Sequence, residues 1–424
     1  MSAISHDAEL RLGATRQRLD GFDELTITHD LLAPGSPTTV SLWRPPTDRP
    51  WPESELYRLA KVYSPVEFAI DGALQVRGVV ERVAVGADHG GATLRISFRD
   101  LTGAAQVADA DPHLSLRSET LAGALQKLYQ PLGINVTVGA DADEARSTLV
   151  GQRPGARART SYSAELRRAR REAASNIGPV GFDPEEVARA RTGRSRRQHV
   201  DKFRIQPGQK VQAVADALCR RHGYLLFSAP YGDGVGLVID KPATSPVLYQ
   251  LTRKRQPDGS VRGNLLAGER TLDAMTLPTG VTVFGHSPTT EREDIYHQSA
   301  VPNDVLAHPR VESRYLPRPR YLRDAHATKP QIAAQRARRE LADANAGFDV
   351  YTATVQGWTQ GSPGRGPWLY AVNTLAQMDD DETDTRGDWL ITQVTFRRSR
   401  KDGTLTQMRL VPKGALQLYP DESP

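Results

Sequence analysis

Cys219 is the single cysteine of the 424-residue chain, and Arg220, Arg221 and His222 follow it directly. A thiol among cationic side chains has the composition of an activated nucleophile. Its spacing argues against that chemistry. Val211, Val214, Ala215 and Leu218 recur at i, i+3, i+4 and i+7, which predicts a helix with one buried stripe and Cys219 at its edge. Residues one apart diverge on a helix, so Arg220 points away from the sulfur and only His222, three positions on, could reach it. Gly223 reads as the helix stop, and the C-terminal end of a helix disfavours a thiolate. Cys219 is therefore expected to be a small apolar residue of a core.

Two other segments concentrate charge. The acidic run DDDETD, residues 379–384, offers carboxylates to a cation but lacks the ligand spacing of a calcium loop, so an exposed turn is expected. Residues 151–200 hold twelve arginines against five acids, an excess of seven in a chain whose net charge is +5. Such a run fits nucleic acid, a membrane surface or another acidic partner, and Arg167, Arg168, Arg171, Arg194, Arg196 and Arg197 are the candidate contacts. The plainer alternative is a solvated insertion. Within it SAELRRARREAAS and FDPEEVARAR have helical character between flexible flanks, and only Tyr162 and Phe182 could stack on bases.

Little else suggests chemistry. One cysteine excludes a disulfide framework and a zinc–cysteine cluster, and no His-Glu-x-x-His or close histidine pair occurs. No catalytic residue, metal or cofactor is expected. With 38% hydrophobic and 25% charged residues, the chain reads as soluble and long enough for about three domains. No run of 18 apolar residues occurs, and MSAISHDAELRLG lacks a signal-peptide pattern, so synthesis and retention in a cytoplasm are expected.

The elements that must position these residues fall into three regions. DELTITH, TVSLW, the two runs around Asp71-Gly72 and ATLRISFRDLTG form a series of short strands, with Asp-Gly as a strong hairpin signal. Such a series suggests a barrel or sandwich. The middle region contains a repeat. A shift of 90 residues lays Leu121, Leu125, Leu128 and Gly133 over Val211, Ala215, Leu218 and Gly223, and places Cys219 opposite Tyr129. Each copy reads as helix, glycine stop and strand. From about residue 265 strands return: GVTVFGHS, FDVYTATVQGW, WLYAVNTLAQM and DWLITQVTFRR, the last with Leu390, Thr392, Val394 and Phe396 on one face and followed by an Asp402-Gly403 turn. QIAAQRARRELADANAG, closed by Gly347, is a helix among them.

VEFAIDGALQVRGVVERV followed by LRISFRDLTGAAQVADAD resembles the opening domain of the baseplate hub proteins of Mu-like contractile-tailed phages. The ordered series RPRYLRD, AAQRARRELA, YTATVQGW, WLYAVNTLAQMDD, GDWLITQVTFRRS and LTQMRLVPKGAL extends the resemblance over nearly the whole chain. The resemblance implies an α+β, mainly β fold, with two tube-like β-barrel domains flanking a small repeated α+β middle. The corresponding division is a first barrel at 1–112, a first α+β module at 113–150, an arginine-rich insertion at 151–200, a second module at 201–264, and a second barrel at 265–424 with a helix near 330–346. It also implies a structural, non-enzymatic homotrimer at the tail baseplate of a virion, assembled in the host cytoplasm. Six barrels would continue a hexameric tail tube and receive a three-fold spike. Tail tube protein, spike protein, tape measure protein and baseplate wedge proteins are the implied partners, with no membrane anchoring and nucleic acid at most in transit through the lumen. The departure is 151–200, longer and richer in arginine than the family pattern. A nucleic-acid-binding protein acting through that segment and a tail-associated cell-wall hydrolase are the alternative readings; nothing in the sequence has the spacing a hydrolase needs.

Overall fold

The computed structural model describes residues 7–147 and 205–416, with short interruptions of which 286–296 is the longest. Alternation of apolar and polar residues builds the first region as β1 (Ala8–Leu12), β2 (Gln17–Leu19), β3 (Glu24–Asp30), β4 (Pro37–Arg44), β5 (Pro65–Ile70), β6 (Ala73–Asp88) and β7 (Gly91–Asp100). A short helix, α1 (Glu55–Leu59), precedes β5. Asp71 and Gly72 both take positive φ, 48° and 79°, which matches the twist of the β5–β6 hairpin they close.

The middle region holds α2 (Thr102–Val107), α3 (Leu121–Tyr129), β8 (Val136–Val138), α4 (Val211–Arg221), β9 (Leu225–Tyr231) and β10 (Gly234–Asp240). Both helix–glycine–strand copies are present. Gly133 and Gly223 have φ of 68° and 76°, the left-handed stop that a residue with a Cβ adopts at a cost. The copies share one three-stranded sheet, with β8 parallel to β10 and β9 antiparallel to it. They also share one core, in which Leu121, Leu125 and Leu128 meet Val211, Ala215 and Leu218. Neither copy could bury its helix stripe alone.

The last region supplies β11 (Val247–Arg255), β12 (Val261–Gly263), β13 (Leu265–Leu272), β14 (Gly280–Gly285), β15 (His297–Pro302), β16 (Pro319–Arg323), α5 (Pro330–Asn345), β17 (Asp349–Gln356), β18 (Thr359–Ser362), β19 (Arg365–Leu369), β20 (Thr374–Asp380), β21 (Thr385–Ser399) and β22 (Gly403–Pro412). Strands β14, β15 and β16 form a separate small sheet. Ala333, Ala337 and Leu341 of α5, at i, i+4 and i+8, pack on Val281 and Val283 of that sheet. This unit leaves the chain after β13 and returns at β17, and its ends meet where Asp273 N donates to Phe348 O at 2.8 Å.

The strands of the first and last regions join in one 14-stranded sheet, ordered β12-β11-β20-β21-β3-β4-β7-β6-β5-β1-β2, with β22, β17 and β13 branching from β21. The fold is thus mainly β with an α+β middle, as expected. Among the described residues, however, no ladder closes either half into a barrel by itself: the two halves are continuous through β21 and β3.

Candidate functional site

The junction of the halves is built on one long strand. The first part of β21 pairs with β20, from Thr385↔Asp380 to Ile391↔Thr374, and the second part pairs on the same edge with β3, from Gln393↔Asp30 to Ser399↔Glu24. The change of partner falls at Thr392, where the register with β22 also shifts. There Leu31 N donates to Thr392 O at 2.8 Å and Thr392 Oγ1 donates to Arg409 O at 3.1 Å, so the bulged backbone is not left unsatisfied.

Alternation gives the seam two faces. Leu25, Ile27, Val394 and Phe396 are all buried in a core that contains residues of both halves and also Leu225, Phe227 and Val238 from the middle sheet. Phe396 meets Trp358 edge-on at 6.2 Å and His29 at 6.1 Å. Burial pushes the His29 imidazole down to about 4, so it is neutral at pH 7. The opposite face is polar: Thr28 and Thr395 hydroxyls lie 3.2 Å apart and Gln393 Nε2 donates to Asp30 Oδ2 at 3.0 Å. Arg397, Thr26, Thr39, Ser97 and Arg82 form one cross-strand row on that face.

A second set of contacts fixes the far edge of the last region. Asp380, at the end of β20, is fully buried. It accepts both arms of Arg253 at 2.7 Å each, Tyr351 Oη at 2.5 Å and Thr383 Oγ1 at 2.6 Å. Burial alone would raise its carboxyl; the hydrogen bonds from Arg253, Thr383, Tyr351 and the Glu382 N–H overcome this and hold it down to about 2. The expected exposed turn at 379–384 is corrected to this extent. Asp379 and Asp381 pair with Lys254 and Arg386, and Glu382 pairs with Arg255 at 2.6 Å. The physical reason is register: β11 runs parallel beside β20 with Thr252↔Asp379 and Arg253↔Asp380, so the basic end of one strand lies on the acidic end of the other. The sign complementarity of TRKR and DDDETD was a usable sequence signal for this pairing.

The other candidates separate clearly. Cys219 is 1% exposed, and burial together with the Asp216 charge pushes its thiol well above the ordinary value. Arg220 points elsewhere, to Asp343 at 3.4 Å, while His222 is buried. Near the thiol, Tyr129 Oη donates to Gln212 Oε1 at 2.7 Å and Gln212 Nε2 donates to Asp216 Oδ1 at 2.9 Å. The arginines 167, 168, 171, 194, 196 and 197 lie outside the described residues. The sequence does not reveal the seam, although it places Leu390, Thr392, Val394 and Phe396 on one face of a strand; Ile391, from the other face, is buried as well because both faces are covered at the bulge.

No family model and no curated protein matches the chain. Solved structures do. The chain is similar to the 43 kDa tail protein of prophage MuSo2 from Shewanella oneidensis, with a TM-score of 0.68, 18% identity, and coverage of 97% of this chain and 99% of that one. It is similar to a tail protein from Neisseria meningitidis, with a TM-score of 0.67, 19% identity and coverage of 98% and 100%. Prophage tail protein gp18 from Listeria monocytogenes matches at a TM-score of 0.50 and 11% identity, over 95% of this chain and 94% of that one. Coverage is nearly complete in both directions for the first two, so the shared feature is the arrangement of all three regions and not one small motif. The chain therefore has the fold of the Mu-type prophage tail proteins.

Proposed function

We propose that the chain is a structural tail protein, and that three copies form the central baseplate hub between a six-fold tail tube and a three-fold spike. The observation that carries this reading is the β21–β3 seam, which binds two strand-rich regions of one chain side by side in a continuous sheet. A closed ring between six-fold and three-fold neighbours is simplest when each of three chains contributes two such regions. In this reading the ring-forming domains are residues 1–112 and 265–424 together with β11 and β12, which pair with β20 and with each other, and the modules at 113–150 and 201–246 form the platform between them. Tail tube, spike, tape measure and wedge proteins are the partners, in the virion tail, and no residue acts as a catalyst. The insertion at 151–200 faces an acidic partner through its arginines. Among the described residues β2, β12 and β13 each have one strand partner, and their other edges offer the sites for contact with neighbouring chains, since unpaired edges left in solvent promote uncontrolled pairing.

Mass photometry of the purified protein, together with negative-stain imaging, tests the reading. Three copies in a ring with a central hole are expected. A stable dimer, or a ring of six chains, would overturn the arrangement of two ring positions per chain.

A further inference from the structure

The two halves of the long sheet repeat one arrangement. In the first, hairpin β3–β4 lies on hairpin β6–β7 through β4 and β7, and β5 pairs with the first part of β6. In the last, β13 and β17 lie on hairpin β21–β22 through β17 and β22, and β20 pairs with the first part of β21. The bulges coincide as well. Val80↔Phe98 gives way to Arg82↔Ser97, and Ile391↔Leu410 to Gln393↔Arg409, so Glu81 and Thr392 are skipped, equally far before the turns that follow Asp88 and Ser399. From there the cross-strand row Arg82–Ser97–Thr39–Thr26 matches Gln393–Arg409–Thr352–Glu269, which makes β13 the counterpart of β3. One position is filled in only one half. Past its bulge β21 takes β3 on its edge, and Phe396 is fully buried there. Past its bulge β6 has β7 on one side and, among the described residues, no strand on the other, and Val85, the counterpart of Phe396, is 44% exposed.

We propose that β13 of a second copy of this chain pairs antiparallel with the end of β6, in the register of the β21–β3 seam, from Arg82 opposite the partner's Asp273 to Asp88 opposite the partner's Ala267. The side chains suit that register. Where Gln393 Nε2 donates to Asp30 Oδ2 at 3.0 Å in the seam, the contact between copies sets an arginine against an aspartate. Arg82 is exposed and has no ion pair among the described residues. The Thr395–Thr28 pair, with hydroxyls 3.2 Å apart, becomes Ala84 and the partner's Thr271, and on the core face Val83 meets the partner's Leu272. Arg270 stands where Ile27 does in the seam, and its charge is already held by Asp349 at 2.8 Å. An open edge accepts strands indiscriminately unless side chains select the partner, and here the matching edge belongs to the same sequence. Each copy gives β13 to one neighbour and receives β13 from the other, a head-to-tail contact that closes only as a ring. The pairing rests on the proposed ring of identical chains but does not fix their number.

The test is oxidative cross-linking of the full-length chain carrying Ala84→Cys and Thr271→Cys, with Thr28→Cys plus Thr395→Cys as the reference for the same geometry inside one chain. Covalent multimers that collapse on reduction are expected from the first variant, single chains from the reference, and no cross-link from Ala84→Cys or Thr271→Cys alone. Arg82→Asp is expected to raise the concentration at which the assembly half-dissociates about tenfold, and Asp273→Arg in the same chain to reverse that. A protein that mass photometry shows to be assembled, but that gives no cross-link and is indifferent to Arg82→Asp, overturns the pairing and leaves the ring. A monomeric protein overturns both. Cross-linked assemblies of a number other than three uphold the pairing and overturn the three-copy hub.

Discussion

Asp380 and Asp216 are both withdrawn from water, yet they act on stability in opposite directions. Asp380 is held down to about 2 by charge-assisted hydrogen bonds, from an ordinary 3.8. Its folded value lies below its unfolded one, so its contribution is complete above about pH 4 and is lost as pH falls toward 2. Asp380→Asn leaves the partly buried Arg253 without its counter-charge and is expected to cost about 3 kcal/mol at pH 7. Urea unfolding between pH 2 and pH 7 checks this: the variant should lack the part of the acid-induced fall that Asp380 causes in the parent. Asp216 is the reverse case, pushed up by burial from 3.8 to about 6, with Gln212 and Arg220 only partly opposing it. Its folded state binds the proton more tightly, so the stability it contributes is present below about pH 4 and is lost as pH rises through 6. Asp216→Asn keeps an acceptor for Gln212 Nε2 and removes the charge. It is expected to stabilise the protein by about 1–2 kcal/mol at pH 7.5 and to have no such effect at pH 4. Equal melting temperatures of parent and variant at pH 7.5 would show that the buried charge carries no penalty.

Glycines on β6 separate two roles that look alike in sequence. A Cβ at Gly78 would lie 1.8 Å from Arg99 O on β7, whereas one at Gly86 meets nothing within 4 Å. Gly78→Ala must push apart the central β6–β7 ladder and is expected to cost about 1–3 kcal/mol, while Gly86→Ala is neutral or stabilising by about 0.5 kcal/mol. Thermal melts of the two variants give the comparison, and a melting temperature unchanged by Gly78→Ala would contradict the close approach. Elements of this kind mark what was legible beforehand. The β5–β6 hairpin announced itself through Asp71-Gly72, and α3 and α4 through their stripes and their glycine stops, because each signal lies within a few residues of its cause. Cys219 was read correctly for the same reason. The β21–β3 pairing joins residues more than 350 positions apart, and β11 reaches β20 across more than 100; alternation tells a strand which face is buried but not which strand lies beside it. The burial of Asp380 was hidden for that reason too: an acidic run reads as solvated until the basic strand facing it is known.

At the scale of the molecule, the 14-stranded sheet does not depend on every segment between its strands. The unit formed by β14, β15, β16 and α5 has its own small core of Val281, Val283, Ala333, Ala337 and Leu341, and interrupts a pair of strands that are neighbours without it. Leu272 of β13 pairs with Asp349 of β17, and Asp273 N reaches Phe348 O at 2.8 Å, which is the geometry of a hairpin whose turn has been expanded into a subdomain. Replacing residues 274–347 with Asn-Gly, a two-residue turn suited to antiparallel strands, should therefore restore the parent hairpin. Some stability is lost, since Ala346 contributes to the main core and Asp343 to the ion pair with Arg220. The ion pair is exposed and worth little, so a total cost of about 1–2 kcal/mol is expected. If the ring is made by the two strand-rich regions joined at the β21–β3 seam, the shortened protein still assembles with the same number of copies. Mass photometry of the deletion variant beside the full chain decides this. A folded but monomeric product, verified by circular dichroism and a cooperative melt, would mean that the small subdomain carries the contact between chains, and that the long sheet is its support.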